Sequence, residues 1–356
     1  MSEIINMSRI NNIGNTCYQN SVLHPLIHTP EGFIEYILTG NYLKQLKTTK
    51  THDEIKDTLI FQFHRILNSM FRNNDLNLNP HTWKKICGEK NDIFHGSNQQ
   101  DAQEFLSFII DNFIEDMGIE YPTIPREYVV NNNWSKKQMV LNILAEKSFQ
   151  NFHRKKYSIL VPMFNGMGHS NIKCINCEYE SNNFTPYSIL GLSISKDSTS
   201  LDDCLKHYST KEELDKDNLI KCSGCYQKTR GIKTESFWKL PKYLIINLKR
   251  FKHDMYGRVT KKDNSLIDYP LELDMKPYVD KDSKYYQKSH QYYLYGVTLH
   301  SGIMMNGFSA GHYTSLVRNR TDKKWYYYND DSKPEPVSTS KLVHSNAYLL
   351  FYCRKD

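Results

Sequence analysis

An α+β fold with segregated layers is predicted by three observations. Apolar residues recur at helical spacing through the first 150 or so positions. From about position 157 the chain turns to short runs rich in β-branched and aromatic residues, bounded by Gly, Pro or Asn. No internal repeat is present, so the second half is not a repeat architecture. Helices followed by strands, rather than alternating with them, argue for α+β.

The 356 residues suffice for a sizeable core. Charged residues make up 24% and apolar residues 39%, the balance of an ordinary globular protein rather than a disordered chain. The net charge of +7 is modest, and the basic residues form no long run, so nucleic acid is not an expected partner. The N-terminal MSEIINMSRI lacks a basic segment followed by an apolar one, and no apolar run reaches membrane-spanning length. The expected location is the cytosol or nucleus, not the secretory route. In a reducing compartment the eight cysteines point to metal or catalysis before disulfides.

The first helix is expected over 16–23, with Pro25 limiting its length. A second helical pattern spans 52–72, and 73–80 (NNDLNLNP) is a turn-rich connector. In 97–117 the residues Ala102, Phe105, Leu106, Ile109, Ile110, Phe113 and Ile114 form one apolar face, with Ser97 and Gln100 as a capping box. Residues 119–137 read as an inserted loop, and 137–151 as a further helix. YSILVPMFNG, YSILGLSIS, YLIINLKRF, YYLYGVTLH, HYTSLVR and WYYYND read as strands.

Cys174 with Cys177, and Cys222 with Cys225, are two CxxC pairs. Two intervening residues let a turn aim two thiolates at one tetrahedral ion, and two such turns complete a closed zinc site. Such a site is structural and staples a small β extension that cannot bury enough core alone. The wide gap between the pairs requires two separate hairpins that meet in space. Cys87, Cys204 and Cys353 have no partner at ligand spacing and are expected in the core.

Cys17, in NNIGNTCYQNSVLHP, follows a Gly-Asn-Thr turn at the mouth of a helix. There the free N–H groups and the macrodipole favour a thiolate. Its backbone N–H could donate to an oxyanion, with Asn12 supplying a second donor. For Asn15 ordinary turn chemistry suffices. In AGHYTSLVRNRTDKKWYYYNDDS, a hairpin folded about 320–321 sets His312 against Asn329, placing an imidazole beside an amide oxygen that could hold its Nδ1–H. That is the base and orienter of a nucleophilic triad. A lone strand histidine more often packs or faces solvent. Gly311, which lets the backbone approach a ligand, and the suspect thiol of Cys17 shift the reading.

Together these blocks resemble the ubiquitin-specific proteases, deubiquitinating cysteine peptidases with a papain-like triad. NNIGNTCYQNSVL is similar to their cysteine box and QQDAQEFL to their second box. The CxxC pairs match their zinc-bearing fingers. LPKYLIINLKRF, LHSGIMMNGFSAGHYTSLVRN and WYYYNDDS resemble the core strands and histidine box. The blocks run in family order from residue 8 to residue 353.

The resemblance implies one right-hand-shaped catalytic domain over 1–356. A helical thumb would take 8–150, fingers with part of the palm 157–240, and the β palm 241–356. It implies cleavage after the C-terminal glycine of ubiquitin, with Cys17 as nucleophile, His312 as base, Asn329 as orienter, Asn12 in the oxyanion hole and Asp330 assisting. Asp101 and Glu104 would face the arginine-bearing ubiquitin tail, although acids at a helix start also suit its dipole. Gln100, Gly311 and Tyr313 are further substrate-contact candidates, and 301–311 is expected as a flexible loop over the channel. Structural zinc is the implied cofactor, with none for catalysis. Ubiquitin and ubiquitinated proteins are the implied partners, and a monomer is expected. Arg9, Gln19 and His24 depart from the family pattern without touching the triad. No further targeting or ubiquitin-binding module is expected, leaving the domain surface or the 119–137 loop to direct the enzyme. Two other readings keep much of this: a protease for a ubiquitin-like modifier, and a module that holds ubiquitin without cutting it. A zinc-ribbon nucleic-acid binder would need a basic stripe that the sequence around the CxxC pairs lacks.

Overall fold

The computed structural model describes residues 7–73, 75–122, 131, 133–255, 259–305 and 308–355. Its helices are α1 (Cys17–Ile27), α2 (Phe33–Leu38), α3 (Asn41–Leu46), α4 (His52–Lys56), α5 (Leu59–Phe71), α6 (His81–Lys90), α7 (Ala102–Asp116), α8 (Lys136–Phe152), α9 (Leu160–Phe164) and α10 (Leu201–Ser209). Two short strands, β1 (Arg9–Ile10) and β2 (Asn77–Leu78), pair in parallel within this helical part. The fingers comprise β3 (Gly166–Cys174), β4 (Glu180–Tyr187), β6 (Glu212–Leu214), β7 (Ile220–Lys221), β8 (Lys228–Thr229) and β9 (Gly231–Lys239), with β5 (Ile189–Ser193) leaving them for the central sheet. The rest are β10 (Tyr243–Lys249), β11 (Phe251–His253), β12 (Val259–Lys262), β13 (Glu272–Asp274), β14 (Gln291–Met305), β15 (Phe308–Arg318), β16 (Trp325–Tyr328), β17 (Glu335–Val337) and β18 (Ala347–Arg354). All but α10 of the helices precede the long strands, as the α+β reading expects.

The central sheet runs β17-β16-β15-β14-β18-β10-β5, with β13 also on β14. β10 and β18 are buried along almost their whole length. One face, with Tyr243, Ile245, Leu349 and Phe351, packs on the helical core. The other, with Leu244, Ile246, Leu350 and Tyr352, closes a second core. Burial on both faces explains why these strands read as near-continuous apolar runs.

All eleven residues of α1 are buried. The helix passes through Pro25 instead of ending before it. Proline has no N–H for the Ser21 carbonyl, and Thr298 Oγ1 on β14 donates to that carbonyl instead, at 3.0 Å. The 52–72 pattern divides into α4 and α5, because the Thr58 side chain closes the first at the Ile55 carbonyl and caps the second at Phe61 N–H.

The apolar face of α7 is buried as its spacing predicts. Its start differs, and the capping box expected of Ser97 and Gln100 is absent. Asp101 is the N-cap, accepting from Gln103 N–H at 2.7 Å and Glu104 N–H at 3.1 Å, whereas the Gln100 amide donates to Ile93 O. The α8 helix is capped reciprocally by Ser135 and Gln138. Within the loop expected over 119–137, residues 123–130 and 132 lie outside the described residues. The YSILVPMFNG run is not a strand: 160–164 form α9, whose Leu160, Val161 and Phe164 enter the helical core. Of the loop expected over 301–311, residues 301–305 and 308–311 are strand instead, since β14 and β15 pair from Gly296↔Val317 out to Met305↔Phe308. Residues 306–307 lie outside the described residues.

Candidate active site

The turn before α1 is built around one side chain. Asn12 Oδ1 accepts from the N–H of Gly14 and of Thr16, and Thr16 Oγ1 accepts from Ile13 N–H. Gly14 sits at φ +113 and Asn15 at φ +52, left-handed positions suited to Gly and Asn. Asn15 donates to Ser97 O, so its role is structural. The turn delivers Cys17 to the first position of α1, 4% exposed, at the wall of a cleft of about 830 Å³.

His312 lies on β15 between Gly311 and Tyr313, which line this cleft. Its Nε2 is bonded to Asn329 Oδ1 at 2.7 Å, so Nε2 and not Nδ1 faces the orienter. The two residues are not directly opposed as the hairpin folded about 320–321 required. β15 and β16 pair Ser315↔Tyr328 through Arg318↔Trp325, a register two residues off that expectation. The turn is longer than assumed, closing with Asn319 N–H on Lys324 O and Lys323 at φ +60. An offset of two keeps every side chain on its face, so Asn329, one residue past β16, meets His312 diagonally. The His312 ring titrates at about 9, well above an ordinary imidazole. Hydrogen bonding with Cys17 is the largest cause; burial opposes it, and Asn329 and Asp330 add to it. Sulfur, imidazole and carboxamide thus act on one another.

Asp330 stands beside them at φ +42, with its side chain 10% exposed. Its Oδ2 accepts from Asn12 Nδ2 at 2.8 Å and lies 4.0 Å from His312 Nε2. Its Oδ1 accepts from Asn20 Nδ2 at 2.7 Å. Asn12 N–H also donates to Asp331. The Asn12 carboxamide is therefore already engaged with Asp330, and its nitrogen carries one more hydrogen.

The acidic pair divides in function. Asp101 is committed at both oxygens: Oδ1 caps α7, and Oδ2 accepts from Tyr348 OH at 2.6 Å and Tyr313 OH at 3.4 Å. It joins helix to sheet and is not a free anion. Glu104 is exposed and lines the cleft. Gln100 lines it as well, while Gln99 crosses to donate to Gly311 O at 3.1 Å. Gly311 is required sterically, because a Cβ there would run into His300 Nε2. No pattern in the sequence assigns a role to Asn20, Gln99, His300 or Tyr348, although the first three lie within the blocks that carry the resemblance; the three-residue spacing of Asn20 from Cys17, which puts both on one helix face, hints at a link.

At the fingers, Cys174 ends β3 with Cys177 in the following turn, and Cys222 and Cys225 lie between β7 and β8. All four Sγ atoms lie within 4.8 Å of one another, with Cys177 and Cys222 at 3.6 Å. A tetrahedral ion at about 2.3 Å from each thiolate needs sulfurs about 3.8 Å apart, so the donor set fits zinc. Backbone N–H groups of Cys225 and Gly224 hold the Cys222 thiol below its ordinary pKa. Cys87, Cys204 and Cys353 are buried in the core. Among the described residues no helix is long and apolar enough to cross a membrane.

A family model described as ubiquitin carboxyl-terminal hydrolase matches residues 8–352. Ubiquitin carboxyl-terminal hydrolase 4 of Saccharomyces cerevisiae is 28% identical over 371 residues, covering 97% of this chain and 39% of that protein. Ubiquitin carboxyl-terminal hydrolase 2 of Bos taurus is 30% identical over 355 residues, covering 97% and 55%. The chain thus spans roughly half or less of the length of these relatives. Among solved structures, a SAGA DUB module bound to monoubiquitin superimposes with a TM-score of 0.74 at 25% identity, covering 100% of this chain and 71% of that one.

Proposed function

The chain belongs to the ubiquitin carboxyl-terminal hydrolase family, and on that footing we propose that it is a thiol-dependent deubiquitinase with Cys17 as nucleophile. The observation that carries this reading is the coupling of Cys17, His312 and Asn329 at the edge of the cleft that Cys17 lines. As a thiolate, Cys17 attacks the carbonyl of the terminal glycine of ubiquitin. The Cys17 N–H and the remaining hydrogen of the Asn12 amide hold the oxyanion. His312, as imidazolium, gives its proton to the departing lysine amine, then takes one from the water that releases the thioester. Asn329 orients the ring and Asp330 favours its charge.

The narrow passage at Gly311 and Tyr313 selects residues without a Cβ, and Glu104 with Gln100 meets the tail beyond it. The four finger cysteines hold structural zinc, which supplies cross-linking and no chemistry. We read 8–150 as thumb, 157–240 as fingers with part of the palm, and 241–356 as palm, in a monomeric cytosolic or nuclear enzyme.

The test is hydrolysis of a ubiquitin fluorogenic conjugate by wild type, Cys17→Ser and His312→Ala. Cleavage by the wild type alone supports the assignment, and full activity in both variants refutes it. Parallel probes built on ubiquitin-like modifiers decide the substrate, and metal analysis with Cys174→Ser decides the zinc.

A further inference from the structure

Asp330 is a carboxylate largely removed from water, and among the described residues no lysine or arginine bridges it. A buried carboxylate must be held by donors. Two side-chain amides supply them, one on each oxygen: Asn12 on Oδ2 and Asn20 on Oδ1. Asn12 comes from the turn before the nucleophile. Asn20 comes from α1, is 2% exposed, and lies one turn after Cys17. Its Nδ2 also lies 3.1 Å from Ile10 O and 3.4 Å from Asn11 O, so the carboxamide is fixed by backbone on one side and aims at Asp330 on the other.

We propose that Asn20 is a positioning residue for the reaction: it pins Oδ1 of Asp330 so that Oδ2 faces the Asn12 amide and the His312 ring together. The proposal rests on the thiol-protease reading of the site. With Oδ1 pinned, the carboxylate cannot rotate about its terminal bond. Oδ2 then stays 2.8 Å from Asn12 Nδ2 and 4.0 Å from His312 Nε2. Without the pin, rotation would release Asn12, whose own Oδ1 organises the turn that presents Cys17. One side chain on the nucleophile helix thereby coordinates the oxyanion donor and the imidazolium, and it touches neither substrate nor the reacting atoms.

The decisive variant is Asn20→Asp, nearly isosteric but facing Asp330 with a second carboxylate. Two carboxylates in one site share a proton, and one titrates far above the ordinary range. At low pH the shared proton donates in place of the amide; as pH rises it leaves and the pair repels. Kinetics on the ubiquitin conjugate across about pH 5 to 9 should therefore show an added ionisation in Asn20→Asp, with kcat falling where the wild type is still level. Asn20→Ala should lower kcat about 10–100-fold at every pH with KM within about twofold. The swap Asn20→Asp with Asp330→Asn restores one donor and one acceptor, and should erase the added ionisation.

A second readout needs no ubiquitin: the rate of Cys17 alkylation by iodoacetamide against pH, followed on the Cys17 peptide. The same extra inflection is expected there. Failure of the wild type to cleave ubiquitin would refute the substrate reading, while alkylation would still test Asn20. Profiles of Asn20→Asp parallel to wild type in both assays would overturn the proposal. Should Asn20→Asp fail to fold, its protonated carboxyl having one hydrogen where the amide has two, Asn20→Ala decides: a kcat equal to that of wild type would overturn the proposal.

Discussion

The Asn329 carboxamide oxygen meets His312 Nε2 at 2.7 Å from just beyond the last paired residue of β16. It holds the ring without belonging to the ladder, so its removal should disturb the chemistry more than the sheet. Asn329→Ala is expected to lower kcat about 10–100-fold while KM stays within about twofold. Asn329→Asp should retain more activity and carry the alkaline limit upward, because a carboxylate accepts the same proton and favours the imidazolium. Steady-state kinetics on a ubiquitin fluorogenic conjugate over a range of pH checks both.

The proton on His312 sets the pH behaviour. The ring titrates at about 9, raised first by Cys17 and then, against burial, by Asn329 and Asp330. The acid that protonates the leaving amine is lost as pH rises through about 9, so activity should fall there. A pKa raised in the folded state gives stability that is complete below the ordinary imidazole range of about 6.5 and lost as pH rises through the folded value. Cys17→Ala removes the largest cause. The ring titration of His312, followed by NMR, should move down from about 9 in that variant and stay in place if the thiol exerts no pull.

The local signals were legible and the distant ones were not. CxxC spacing is a property of one turn, so each pair of the four clustered cysteines is legible by itself. The α7 stripe is a property of one helix. The hairpin offset between His312 and Asn329 kept both on one face because it is even; an odd error would have parted them. The 160–164 run failed because Leu, Val and Phe suit a strand as well as a buried helical turn, and only the helical core decides. Asp101 at a helix start suits the dipole, but its bond to Tyr348, 247 residues on, has no signal at its own position. Asn20 is linked to Asp330 across 310 residues, a distance no local pattern spans.

Gly311 and His300 share one volume. A Cβ on Gly311 would occupy the place of His300 Nε2, and His300 is 4% exposed with little room to retreat. Gly311→Ala should cost about 1–3 kcal/mol by overpacking and narrow the cleft, raising KM. Adding His300→Ala vacates the contested space and should recover part of both losses. Urea unfolding and kinetics of the two variants test this; a double variant no better than Gly311→Ala would show that the clash lies elsewhere.

A long-range support of the helix that Cys17 opens is the bond from Thr298 Oγ1 to Ser21 O. It matters because Pro25 cannot donate to that carbonyl and both residues are sealed from water, with Thr298 0% and Ser21 2% exposed. Thr298→Val keeps the shape and removes the donor. It should destabilise the fold by about 1–3 kcal/mol, the cost of a buried carbonyl left unpaired. Pro25→Ala returns an N–H to the helix, so the same Thr298→Val change should cost clearly less in that background. Pro25 also packs on Gly296, so Pro25→Ala has a packing cost of its own; the double-mutant cycle subtracts it and leaves the coupling. Strictly additive costs in denaturant unfolding would mean that the threonine does not stand in for the missing amide.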